Sequence, residues 1–315
     1  MSNRTIMIGL AFTALASAVA FMTLGVKAPW SFVLPFRGEK LAALMLVAVA
    51  VSTSTVLFQT ITFNRILTPA IMGFDALYIL LMTSAVFFFG GQGLLHFPPM
   101  AVFVITSIAL SLAGLGLFGT LLRRSGVDLL RMVLTGIIFG VLFRSLTSFL
   151  QRMIDPNEFS VIQVVSYARF NSIDTEILWV ALPVTLVALM AVWRLHRRLD
   201  VIALGDAMAA NLGETSQRLQ LQVLFLVGLL VSVSTAFVGP VVFLGLLIAS
   251  LTHVLLRSPY HRVLLPAAGL VSITVLVGGQ TILERVLSYG TPLAVVIDVI
   301  GGVVFLVLVI RGMSK

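Results

Sequence analysis

The sequence predicts an all-α polytopic membrane protein with about ten transmembrane helices, and three observations carry that reading. Hydrophobic residues make up 59% of the 315-residue chain and charged residues 10%, where soluble domains run near 45–50% and about 25%. The mean hydropathy is +1.13. Apolar runs of the length a bilayer core demands, roughly 20 residues each, recur at 6–26, 41–63, 70–90, 98–121, 128–150, 177–195, 221–238, 240–256, 263–282 and 292–311. The chain reads as one transmembrane domain over residues 1–315.

The first run contains Ala16-Ser17-Ala18, a small-residue pattern of the kind cleaved after signal peptides. The apolar stretch continues past it to Phe21 and Met22, and nine further spans follow, so an uncleaved signal-anchor is expected. Residues 221–256 form one continuous apolar stretch with Gly239-Pro240 in its middle. A proline cannot continue the helical hydrogen-bond ladder, so two spans are expected there.

Two hydrophilic segments interrupt the pattern, one at about 151–176 and one at about 196–220. With the N-terminus inside, thirteen basic residues fall on the inner loops and six on the outer ones. That asymmetry predicts both termini in the cytoplasm, with 151–176 outside and 196–220 inside. Spans two to five and seven to ten then enter from opposite sides, the arrangement of an inverted repeat.

The charge balance is +8, but the three lysines and seventeen arginines are scattered, with no run longer than a pair such as Arg197-Arg198. A nucleic-acid surface is not expected. Cysteine is absent, which excludes disulfides and thiolate chemistry. None of Lys27, Lys40 and Lys315 follows a glycine, so no phosphate-binding P-loop exists, and neither H-E-x-x-H nor G-x-S-x-G occurs. The one G-x-G-x-x-G, at Gly114, Gly116 and Gly119, lies inside an apolar span and reads as helix packing, as does the Gly136/Gly140 pair. His253 and His261, near the inner end of the eighth span, read as satisfied interfacial side chains rather than a pH sensor.

The inner segment carries Leu204-Gly205-Asp206-Ala207-Met208-Ala209-Ala210-Asn211-Leu212-Gly213. Asp206 is placed to cap a short helix that Gly213 stops. Small residues bounded by glycines suit insertion into a groove of a partner. This run resembles the cytoplasmic coupling segment of the ABC-importer permease family for iron-siderophore complexes, haem and cobalamin, with its L-G-D/E-x-x-A-x-x-L-G pattern. The stretch 64–78 is similar to the loop after that family's second span at Gln59, Asn64, Pro69 and Gly73, with Arg65 in place of the usual proline. Its Asn-Arg-x-Leu-Thr-Pro form is closest to permeases for ferric, especially catecholate, siderophores. Residues 239–257 match at Gly239, Phe243, Gly245 and Leu246 but carry Ala249 and Ser250 where Pro-His is usual; 292–306 match at Pro292, Gly301, Gly302 and Phe305.

The resemblance covers about 35–311 and implies a permease subunit of an importer in a bacterial inner membrane, moving an iron-siderophore complex. It implies two cytoplasmic ATPases that hold ATP and Mg²⁺, a second permease subunit, related or identical, and a periplasmic or lipid-anchored substrate-binding protein. This chain itself is expected to bind no cofactor and to have no ATPase activity. Leu204, Gly205, Asp206, Ala207, Leu212 and Gly213 would couple to the ATPases. Arg37, Lys40 and Arg285 would receive the binding protein on the outer face, with Lys40 standing where arginine is more usual. Gln59, Asn64, Gly136, Gly140, Arg144, Asp298 and Gly301 are the pathway and gate candidates, with Arg144 and Asp298 at similar depth as a possible ion pair and Asp75 capping or bracing the third span. Haem or cobalamin import, and an ion-coupled secondary transporter with its own inverted repeat, are the competing readings.

Overall fold

The computed structural model describes residues 3–26, 28–70, 72–124, 129–170, 173–256, 258–286 and 292–313. They form thirteen α-helices: α1 (Asn3–Thr23), α2 (Trp30–Ile61), α3 (Phe74–Phe89), α4 (Gly91–His96), α5 (Pro99–Arg124), α6 (Leu129–Gln151), α7 (Pro156–Val165), α8 (Thr175–Ile202), α9 (Asp206–Asn211), α10 (Ser216–Val238), α11 (Leu244–Leu255), α12 (His261–Thr281) and α13 (Leu293–Met313). One π-helical turn, Ile282–Val286, extends α12. No strand occurs among the described residues. Seven helices are long and apolar enough to cross a membrane, and three shorter apolar helices, within Phe74–Phe89, Leu244–Leu255 and Leu293–Val304, join them. Each predicted apolar run falls on one of these helices.

In lipid every backbone polar group must be satisfied within the protein, which is why helices carry the span. The most enclosed are α2 and α10, which pack on each other at the centre. Around them the packing is reciprocal. α5 lies along α10 as α12 lies along α2, and α3 meets α6 as α11 meets α13. That is the pairing an inverted repeat of α2–α6 with α10–α13 requires. Outward faces remain apolar, as at Trp179, Val187 and Met190 of α8, in keeping with lipid contact.

Each half has one helix break. α2 ends at Ile61 and α3 starts only at Phe74; α10 ends at Val238 and α11 starts at Leu244. Both breaks contain a glycine with positive φ, Gly73 at 93° and Gly239 at 105°, a region that other residues avoid. The segment 166–170 covers the second break, where Arg169 N–H donates to the Val238 carbonyl at 2.7 Å.

Two elements differ from the sequence-based expectation. α2 begins eleven residues before the predicted start at 41, runs through Pro35, and carries Arg37 and Lys40 on a helix instead of a loop. Proline costs α2 one ladder bond near its N-terminus, where the loss is smallest. The hydrophilic segment 151–176 holds α7, started by Asp155, whose carboxylate accepts the Asn157 N–H at 2.9 Å, with Pro156 in the first turn.

The starts of α3 and α11 are each seated on a glycine of a later helix. A methyl on Gly301 would stand 2.6 Å from Phe243 Cβ, whereas one on Gly302 would meet nothing within 4 Å. Gly301→Ala is therefore expected to lower stability by about 1–3 kcal/mol, the usual cost of overpacking, and Gly302→Ala to be close to neutral, as read by thermal unfolding of the two variants in detergent.

Candidate functional site

The segment between α8 and α10 presents one small helix. Gly205 (φ 96°) turns the chain into α9 and Gly213 (φ 81°) turns it out, reversals that glycine makes without strain. Gly205, not Asp206, occupies the N-cap position, and no side chain caps the helix. Asp206 sits one position later, its Oδ1 accepting from Gln220 Nε2 of α10 at 3.3 Å. Ala209 is fully buried, while Ala207 is exposed.

This segment exposes three large apolar side chains. Leu204 before α9, Met208 within it and Leu212 at its C-cap are 60%, 62% and 63% exposed. Met208 was not among the residues singled out from sequence, although it lies within the same short run. Two ties hold the segment in place. Arg198 of α8 grips Glu214 bidentately, Nε to Oε2 at 2.9 Å and Nη2 to Oε1 at 2.7 Å. The Arg198 hydrogen bonds hold the Glu214 carboxyl below its ordinary range. Four residues before the start of the segment, Asp200 Oδ1 accepts both the His261 backbone N–H at 2.8 Å and its Nδ1–H at 2.7 Å, and His261 Nε2 lies 2.7 Å from Thr60 Oγ1 of α2. The end of α8 is thus tied to α12 and α2. His261 is a satisfied histidine, as expected.

Beside this tie lies a cavity of about 780 Å³ walled by Gln59, Thr60, Arg65, His253, Ser258 and His261 among others. Gln59 Nε2 donates to the Arg65 carbonyl at 2.5 Å, and Asn64 Oδ1 accepts the Ile66 N–H at 2.9 Å. Both gate candidates therefore close the turn after α2. Gly136 and Gly140 of α6 form the notch for the start of α3. A methyl on Gly136 would reach Met72 Sδ at 2.7 Å, and one on Gly73 would reach Gly140 Cα at 3.0 Å.

Arg144 and Asp298 do not pair. Asp298 Oδ1 accepts the Phe243 N–H at 3.1 Å, satisfying a donor that the second break leaves free. Arg144 instead lines an open pocket of about 430 Å³ on α6 with Ser145, Ser148 and Arg152. Asp75 does not cap α3, whose N-cap is Gly73; it lies in the first turn, 8% exposed.

Of the three basic residues expected to receive a binding protein, two are turned inward. Arg37 is buried, and its Nη1 and Nη2 donate to the carbonyls of Phe21, Met22, Leu24 and Gly25, the unpaired acceptors at the end of α1. Lys40 is buried against Glu284. Arg285 keeps a partly exposed side chain, 3.6 Å from Glu284.

The fold and these contacts set the frame for comparison with known proteins. Residues 3–311 match the FecCD transport family. The chain belongs to this family. As a FecCD-family chain it is a multi-pass membrane permease, and its relatives agree. It is 42% identical over 282 residues to the petrobactin import system permease protein YclO of Bacillus subtilis, covering 90% of each chain. It is 31% identical over 271 residues to the petrobactin import system permease protein FatC of Bacillus anthracis, covering 86% of this chain and 77% of that one. A solved metal-chelate type ABC transporter in an inward-facing conformation superposes with a TM-score of 0.82 at 26% identity, over 98% of this chain and all of that one.

Lys40→Glu would place a second carboxylate beside Glu284 in a nearly buried setting. Breaking such a pair costs about 3–5 kcal/mol, so this variant is expected to lose thermal stability sharply. Arg285→Glu is expected to cost far less. Equal melting temperatures for the two would contradict the inward role of Lys40. Glu214, with its lowered carboxyl pKa, stabilises the segment above the ordinary carboxylate pKa, and the contribution disappears as the pH falls through its folded value. Protection factors for amide exchange across 204–213, corrected for the intrinsic pH dependence of exchange, should therefore fall in acid in the wild type and change little with pH in Glu214→Gln.

Proposed function

We propose that this chain is the membrane-spanning permease subunit of an ATP-driven importer that moves an iron-siderophore complex across a bacterial cytoplasmic membrane, with its termini and the α9 segment in the cytoplasm. The observation that carries the reading is α9, a glycine-bounded helix that with its flanking residues exposes Leu204, Met208 and Leu212 in a chain of the FecCD family. Large apolar side chains exposed together outside the bilayer call for a partner to cover them. Two ATPase subunits, which hold ATP and Mg²⁺, supply that cover, each gripping one permease subunit of a pair. The petrobactin named in two of its relatives supports an iron-siderophore complex as cargo. The inner bias of basic residues supports the orientation.

In this reading the side chains act mechanically. Closure of the ATPases displaces α9, and the Arg198–Glu214 grip and the Asp200–His261–Thr60 tie pass the displacement to α8, α12 and α2. A substrate-binding protein meets the outer face, where Arg285 offers a partly exposed charge and Arg37 and Lys40 brace the rim from within.

Replacing Ala207 with arginine, or Leu204 and Met208 together with aspartate, should abolish co-purification with the cognate ATPase and iron-siderophore uptake, while membrane insertion persists. Normal uptake by either variant would remove the coupling role of α9.

A further inference from the structure

Asp75 stands in surroundings that none of the contacts above explains. It lies at the start of α3, 8% exposed, and its Oδ2 is buried without a hydrogen-bond partner among the described residues. Thr68, 2% exposed, likewise has an unpartnered Oγ1. Both border a cavity of about 20 Å³ between α2, α10 and the two helix breaks, roughly the room one water-sized occupant needs. No basic side chain lines it among the described residues; the polar walls are Ser54, Thr55, Thr68, Asp75, Ser234 and Thr235. The charge acting on Asp75 is another carboxylate, Asp298, which is engaged with Phe243 N–H.

An ionised carboxylate without a counter-charge in an apolar interior is unfavourable by far more than a hydrogen bond restores. The neighbouring hydroxyl oxygens are available as neutral ligands. Ser54 Oγ donates to the Val51 carbonyl at 2.9 Å, Thr55 Oγ1 to the same carbonyl at 2.8 Å and Ser234 Oγ to the Val231 carbonyl at 3.0 Å. Their protons are spent on their own helices, so the oxygens present lone pairs. Hard oxygen ligands select hard cations. A single carboxylate in the wall neutralises a single positive charge, and the small volume favours the smaller alkali ion. We propose that this pocket is a sodium site joining α2, α10 and the start of α3, with Asp75 as the charged ligand and Thr68 and the helix hydroxyls as neutral ones.

The test is binding of ²²Na⁺ to the purified full-length chain in detergent, by scintillation proximity. Saturable binding that unlabelled sodium displaces and choline does not is expected. Asp75→Asn, nearly isosteric, should lose it, and Thr68→Val should weaken it several-fold while Thr68→Ser retains it. Thermal unfolding should shift upward in sodium chloride relative to choline chloride at equal ionic strength in the wild type, and not in Asp75→Asn. Absence of saturable binding to the wild type would overturn the proposal, as would undiminished binding to Asp75→Asn. Stability that responds to pH but not to sodium would overturn it too, by assigning a proton to the carboxyl. If Asp75→Asn fails to fold, the wild-type competition and the Thr68 pair decide alone.

Discussion

The structure depends on one constraint: inside an apolar layer, a helix can stop only where something else satisfies the backbone groups it releases. α2 and α10 both stop short, at Ile61 and Val238, and the shorter helices α3 and α11 follow after a change of direction. Everything around these breaks serves that requirement. Arg169 N–H meets the Val238 carbonyl, Asp298 takes the Phe243 N–H, and Gln59 with Asn64 closes the turn after α2. The glycines of α6 and α13 then let the broken segments approach closely enough to be covered. A polar side chain in this layer is therefore mostly a backbone partner first.

The same logic explains why Arg37 and Lys40 lie on a helix and point inward rather than in a loop. In the sequence the second apolar run begins at 41, so Arg37 and Lys40 read as the end of the loop before it. In the structure Arg37 covers the carbonyl end of α1 and Lys40 meets Glu284. Both partners are tertiary, and the second is 244 positions away, so no local pattern reports them. Depth in a span is similarly incomplete information. Arg144 and Asp298 sit at comparable depths, yet depth says nothing of which way around its helix each side chain faces, and a free backbone donor claimed Asp298.

The apolar helices themselves were legible, because a bilayer imposes length and composition on each one separately. The break at Gly239-Pro240 was legible for the same local reason. The short helix α9 was legible to within one residue, Gly205 taking the N-cap position expected of Asp206. α7 was missed although Asp155-Pro156 with Glu158 spells out a helix start; a hydrophilic segment among apolar spans reads as loop by contrast alone. The Asp200–His261–Thr60 tie had no sequence signal, since it joins three helices far apart in the chain.

These ties decide what can move with what. α9 is fastened to α8 by Arg198–Glu214 and to α10 by Asp206–Gln220. A displacement of α9 therefore has to carry the inner ends of both helices or break a charge-assisted pair. α8 in turn holds α12 through Asp200, and α12 lies along α2. The two helices that dominate the core are thus both reached from one exposed turn. Rigid helices transmit such a displacement without absorbing it, and the conformational freedom to absorb it lies where backbone is not helical. Those places are the segments 62–73 and 239–243, which adjoin α3 and α11 and touch α6 and α13 through Gly140 and Gly301. In the proposed importer, a push at α9 would accordingly be taken up at the two breaks rather than within any span.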